Sequence, residues 1–209
     1  MALTTTDRRT VRTKQLLRDA VLDVIEDLGF DSLTVRQVTE RAGLNRGTFY
    51  SHYLDLHDLL NQYKEELFGV MKGISEQFEP NDFLHIQSVE APPEHTIALF
   101  EFLAEHARFF RTLLGSKGDP AFPAQMKQFM LDNFYEKLAR YQPIPDEMDI
   151  PPAYLAHYVI SANLGLLQYW FESGTTMSPR EMAKLSIRLS RFGPAQSSIL
   201  SKMAFTSIV

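Results

Sequence analysis

The chain has 209 residues, 44% hydrophobic and 22% charged, enough to bury a substantial core as one large domain or two small ones. It contains no cysteine, which excludes a disulfide framework, a thiolate nucleophile and a cysteine-ligated zinc site. The net charge of −5 is unevenly spread: residues 1–18 carry Arg8, Arg9, Arg12, Lys14 and Arg18 against Asp7 alone, while the chain beyond residue 52 is acidic in balance. A basic end on an acidic body suits approach to phosphate from one side; the alternative is a solvated N-terminal tail.

In chain order, Leu17, Ala20, Val21, Val24 and Leu28 recur at helical spacing and predict a first helix over about residues 7–28, ended by Gly29. The stretch from Ser32 to Tyr53, SLTVRQVTERAGLNRGTFYSHY, then carries two short helices. Thr34 and Gln37 have the spacing of a capping box, and Val35, Val38 and Ala42 share one face of the helix that follows. Gly43 suits a C-cap, and Asn45 an N-cap for the second helix. Leu44, Phe49 and Tyr53 seat that helix on a core, which leaves Arg46, Gly47, Thr48, Tyr50 and His52 on its other faces. A helix, a glycine turn and a second helix with a polar outer face describe a DNA-reading helix-turn-helix, although paired amphipathic helices also occur in all-α proteins that read nothing.

Asp55 is expected to cap a long helix reaching about residue 78, and residues 80–93, with proline at both ends, read as an irregular connection. Helices follow over about 94–104, 105–114 and 120–141, then a proline-rich loop, QPIPDEMDIPP, and a helix to about 171. Ser178, Pro179 and Glu181 open a last helix, which Gly193 and Pro194 break near residue 192; the tail is a loop or a short helix. With no period-2 pattern and no internal repeat, the chain is expected to be all-α, about nine helices, divided into a DNA-binding domain over 1–54 and a helical domain over 55–209 for sensing and dimerisation. No stretch approaches the roughly 18 apolar residues of a membrane span, and no signal-peptide pattern stands at the start. A cytoplasmic protein without membrane partners is expected.

The middle of the chain is unusually aromatic. Phe100, Phe109, Phe129 and Phe134 either line an apolar ligand pocket, with His106 as a polar handle, or are simply core. Tyr158, Ala162, Gly165 and Tyr169 fall along one helix, and Met182, Leu185 and Leu189 along the next. Together these stripes form either a four-helix dimer interface or part of the monomer core. Glu101 and Glu105 share a helix face, but His106 points about 100° away, which argues against a metal. No phosphate-cradling glycine loop, nucleophile elbow or HExxH motif is present, so no enzyme activity and no cofactor are expected.

Leu33-Thr34-Val35, Val38, Arg41-Ala42-Gly43, the run from Asn45 to Tyr50, His52-Tyr53 and Leu59-Leu60 together resemble the TetR/AcrR (tetracycline-repressor) family of transcriptional regulators over about residues 8–60. Three later runs, His106 to Gly115, Gly165 to Gly174 and Ser178 to Met182, are similar to one branch of that family. The resemblance implies a homodimer, more often a repressor, on a palindromic double-stranded DNA operator, released by a small-molecule effector or a partner protein. A helical sensor or interaction module that keeps the fold without operator repression is the alternative. By the same resemblance Arg46 reads base edges, Thr48 meets a thymine methyl or a phosphate, and Thr34, Tyr50 and His52 hold phosphates. Gly47 permits close approach and Asn45 opens the reading helix; at the start of the fourth helix either a phosphate contact is lost or Arg8, Arg9, Arg12 and Lys14 supply it. One position departs: Leu56 stands where the family commonly has a phosphate-binding lysine.

Overall fold

The computed structural model describes residues 5–77, 91–139 and 150–197, and among them every regular element is helical. The order is α1 (Thr5–Leu28), a 3-10 turn (Phe30–Ser32), α2 (Val35–Arg41), α3 (Arg46–Tyr50), α4 (Leu56–Glu76), α5 (Glu94–Glu105), α6 (Ala107–Leu114), α7 (Phe122–Leu138), α8 (Pro152–Glu172) and α9 (Pro179–Ser197). Most of the predicted 80–93 connection, the proline-rich loop and the tail beyond residue 197 lie outside the described residues.

Two compact units divide the chain. The first runs to Val70 and adds Arg108–Pro123; the second takes Met71–Ala107 and the chain from Ala124 onward. The first unit is therefore larger than residues 1–54, because the first part of α4 and all of α6 beyond Ala107 pack with the N-terminal helices.

In that first unit Leu17, Val21, Ile25, Val38, Phe49 and Leu59 are fully buried. Leu28 is 53% exposed, against the expectation that it continues the α1 stripe; Ile25 takes the buried place one turn earlier. Arg18 Nη1 and Nη2 donate to Glu66 at 3.0 and 2.5 Å, tying α1 to α4, and the guanidinium lies 4.4 Å from the centre of the Tyr63 ring. Arg108 binds Asp23 and Glu26 near the end of α1. Phe109 packs edge-on against Phe110 and Phe122, so it is core of this unit.

In the second unit, Trp170 of α8 meets the Phe100 ring at 5.7 Å and donates its indole N–H to the Met177 carbonyl at 3.0 Å. Leu131, Ala156 and Ile160 form a buried cluster flanked by Met130 and Phe134. α9 starts as predicted: the Ser178 hydroxyl accepts the Glu181 N–H at 3.3 Å, and Glu181 Oε2 accepts the Ser178 N–H at 2.8 Å. It also breaks where predicted, since Gly193 takes φ 68, a left-handed conformation that costs glycine little.

Candidate functional site

The reading head is built from its caps. Thr34 Oγ1 accepts the Gln37 N–H at 3.3 Å and donates to Gln37 Oε1 at 2.6 Å, so the reciprocal box closes through the hydroxyl rather than through a backbone N–H. Gly43, at φ 66, turns the chain, and the Leu44 N–H reaches back to the Thr39 carbonyl at 2.9 Å. Asn45 Oδ1 then accepts both the N–H and the hydroxyl of Thr48, at 2.8 and 3.1 Å. A side chain at Gly47 would stand 3.3 Å from that same oxygen, so glycine there keeps room for the cap. Phe49 and Tyr53 anchor α3 beneath, with ring centroids 5.8 Å apart.

What remains outward is specific. Arg46 and Tyr50 are exposed side by side on the short helix, and Arg46 has no hydrogen-bond partner among the described residues. Arg8, Arg9 and Arg12 are exposed on α1, whereas half-buried Lys14 lies 5.6 Å over the Tyr53 ring. His52 is half-buried beside Tyr53. Thr34, Asn45 and Thr48 have their side-chain oxygens engaged in capping, so their polar contribution is to shape the helices first.

The start of α4 is acidic where a lysine is common. The Leu54 N–H donates to Asp58 Oδ2 and the Asp58 N–H to Asp55 Oδ1, both at 2.8 Å. The Leu54 N–H and the Gln62 amide hold the Asp58 carboxyl below its usual range. Leu56 is half-buried there, and Leu54 is 83% exposed.

The second unit encloses a cavity of about 500 Å³ bounded by α5, α7, α8, α9 and the end of α4. Phe100, Phe129 and Phe134 line it. Phe109 and His106 do not: Phe109 is sealed in the first unit, and His106 is the C-cap of α5, its ring against Phe102 at 4.5 Å. His95 also lines the cavity, whereas the asparagines and serines of its lining were missed in the sequence. Ser186 donates to Asn163 Oδ1 at 2.8 Å, while Asn163 Nδ2 donates to the Val159 carbonyl at 2.9 Å. Ser75 and Asn133 pair at 3.3 Å. Isolated Asn and Ser on otherwise apolar helix faces are the trace these groups leave in the sequence.

Along α8, Tyr158 and Tyr169 are 61% and 71% exposed, with Ala162 and Gly165 exposed between them. Leu185 and Leu189 of α9 are half-buried. Met182 is only 1% exposed and belongs to the chain's own core, which removes it from any face offered to a second copy. Among the described residues no cluster of three or more His, Asp or Glu is placed to hold a metal ion, and no helix is long and apolar enough to cross a membrane.

A capped helix-turn-helix with an outward arginine, and a separate helical unit around an apolar cavity, define a two-unit, all-α transcriptional regulator. Residues 17–63 match the family model for bacterial regulatory proteins of the tetR family, and residues 90–191 match one for a transcriptional regulator C-terminal region. The chain belongs to the tetR family. Over 181 residues it is 27% identical to the uncharacterized HTH-type transcriptional regulator YxbF of Bacillus subtilis, covering 85% of this chain and 44% of that protein. The chain thus spans less than half the length of that relative. A TetR regulator from Streptococcus agalactiae shares the fold at TM-score 0.59 and 23% identity, over 88% of this chain and 97% of that one. NalD, the secondary repressor of the MexAB-OprM multidrug efflux pump in Pseudomonas aeruginosa, does so at 0.58 and 16%, with 88% and 97% covered.

Proposed function

We propose that this regulator binds a palindromic operator as a homodimer, represses by occupying promoter DNA, and is released when the second unit binds an effector or a partner protein. The observation that carries DNA reading is Arg46, held outward on a helix whose inner side, Phe49, is fully buried. A guanidinium so placed can bond guanine O6 and N7 together in the major groove. Tyr50 and His52 flank it toward phosphates, Thr48 offers its methyl to a thymine, and the Gly47 backbone leaves the helix close to the groove floor. The Thr34 end of α2 faces a phosphate through backbone N–H groups. Arg12 and Lys14 add phosphate contacts from α1.

One short recognition helix reads only a few base pairs, so two copies are needed for a selective site. The exposed Tyr158–Tyr169 line of α8, with Ala162 and Gly165 in its middle, is the face that supports this pairing, and Leu185 and Leu189 border it. An effector acts by preferring a conformer with the heads splayed, and weakens operator binding by its differential affinity. The aromatic cavity of the second unit supports a small molecule in that role.

A gel-shift titration against the chain's own upstream DNA tests the reading, with Arg46→Ala as the control. Sequence-selective retardation that the variant loses supports it. Equal binding and equal preference in the variant removes Arg46 as the base reader. The acidic start of α4 favours a second reading, a sensor or interaction module that keeps the fold without an operator. Under that reading no upstream fragment is retarded selectively.

A further inference from the structure

We infer that Asp23 is a positioning residue of the reading head: its carboxylate bridges Arg108 of α6 and Arg41 of α2, and so fixes the helix that carries the turn into Arg46. This rests on the DNA-reading role proposed for Arg46.

The end of α1 works against its own helix. Beyond Arg18 it carries Asp19, Asp23, Glu26 and Asp27 and no basic residue, so carboxylates crowd the negative end of the helix dipole. The compensating cations come from other elements of the same unit. Arg108 donates to Asp23 Oδ1 and to both carboxylate oxygens of Glu26. Lys117 Nζ donates to the Glu26 and Asp27 carbonyls at 3.0 and 3.2 Å. From α2, Arg41 Nη2 donates to Asp27 Oδ2 at 2.6 Å, and its Nη1 lies 3.9 Å from Asp23 Oδ2. Asp23 therefore gives one oxygen to α6 and the other to α2.

Arg41 is the last residue of α2 and Arg46 the first of α3. Between them the Leu44 bond to the Thr39 carbonyl and the Asn45 cap hold the turn, so the set of α2 is passed on to Arg46. Val38, fully buried, seats α2 on the core, but apolar burial is non-directional and leaves a helix able to tilt. The fork of Arg41 across Asp23 and Asp27, one turn apart on α1, supplies the direction. Part-exposed pairs of this kind add little to stability one by one. Their effect on recognition is larger, because a bidentate bond from Arg46 to a base edge weakens steeply with small changes of angle and distance. Phosphate contacts from flexible side chains tolerate such changes and carry no sequence information.

The test uses the whole chain, the upstream duplex that the parent retards selectively and a shuffled duplex of the same length. Asp23→Asn separates charge from positioning by sign. Removing a carboxylate from a DNA-binding unit by itself tightens binding to both duplexes. Loss of positioning instead weakens the upstream duplex about five- to tenfold and spares the shuffled one. An unfolded fraction lowers both affinities alike, so their ratio does not report stability. Asp23→Glu, which keeps the charge, should hold the ratio within about twofold of the parent. Arg108→Gln and Arg41→Gln should each lower the ratio, and the double variant should match Arg41→Gln, since Arg108 acts on α2 through Asp23. In the chain without DNA, amide exchange across α2 and α3 should speed up in Asp23→Asn, while that of α8 stays as in the parent.

An unchanged or larger ratio in Asp23→Asn overturns the inference. So do arginine variants whose effects on the ratio simply add, or exchange across α2 and α3 that Asp23→Asn leaves as it was. Any of these in a selective parent leaves the DNA reading of Arg46 standing. A parent that selects no duplex removes the DNA reading, and the exchange measurement then decides by itself whether Asp23 holds the head.

Discussion

Lys64 Nζ and Asp119 Oδ2 lie 2.7 Å apart, with 7% and 8% of their side chains exposed, so α4 is joined to the turn before α7 by a sealed ion pair. The ammonium also sits 5.4 Å over the Phe122 ring, and Asp119 Oδ1 accepts the Ala121 N–H at 2.9 Å. Removing one member of such a pair strands the other charge in the core. Lys64→Ala is expected to destabilise the first unit by about 3–5 kcal/mol, and a Lys64→Met, Asp119→Leu double variant to recover most of that. Amide exchange within α4 measures it, because one melting curve for two units need not be two-state. A single variant with unchanged protection would show that water reaches the pair.

Glu26 titrates with the fold. Arg108 donates to its carboxylate at 2.7 and 3.1 Å and the Thr112 hydroxyl at 2.7 Å; these bonds hold its carboxyl below the ordinary range although burial opposes them. A carboxyl depressed in the folded state stabilises above its unfolded value of about 4.3, and that contribution is lost as pH falls through the folded value. Melting temperature should therefore drop on acidification below about pH 4, and Glu26→Gln should flatten the drop. An identical pH profile in the variant would remove Glu26 from the acid transition.

At the reading head, Arg46→Ala should cost about 1–3 kcal/mol on a selective site and little on random DNA. Its melting temperature should match the parent, since Arg46 is exposed and without a partner among the described residues.

Leu56→Lys should strengthen binding to every sequence alike and steepen the dependence of log affinity on log salt by about one unit. Affinity at two salt concentrations decides it. An unchanged slope would mean that the start of α4 does not meet phosphate.

Gly165 is exposed on α8, and a Cβ there meets nothing within 4 Å. Gly165→Arg is therefore expected to leave the chain folded, even slightly favouring the helix. Sedimentation at micromolar concentration should show the parent as a dimer and the variant as a monomer with weakened operator binding. A dimeric variant would move the pairing surface elsewhere.

Local chemistry was legible in the sequence wherever one segment decides its own geometry. The Thr34 and Asn45 caps, the Gly43 turn, the Ser178–Glu181 box and the Gly193 break all formed as their spacing required, because each depends on hydrogen bonds within a few residues. The helix order followed for the same reason.

Which core each apolar residue joins was not legible. Phe109 and Phe129 look alike in an aromatic run, yet one seals the first unit and the other lines the cavity of the second. Met182 belongs to the same apolar stripe as Leu185, but it turned inward where Leu185 stays half-buried. Periodicity names the apolar face of a helix and not what covers it, since burial comes from residues far away in the chain. The sequence alone therefore determined the helices, their ends and the outward arginine of the reading head. Only tertiary packing decided which residues line the cavity of the second unit and which partners the buried Arg18, Lys64 and Asp119 find.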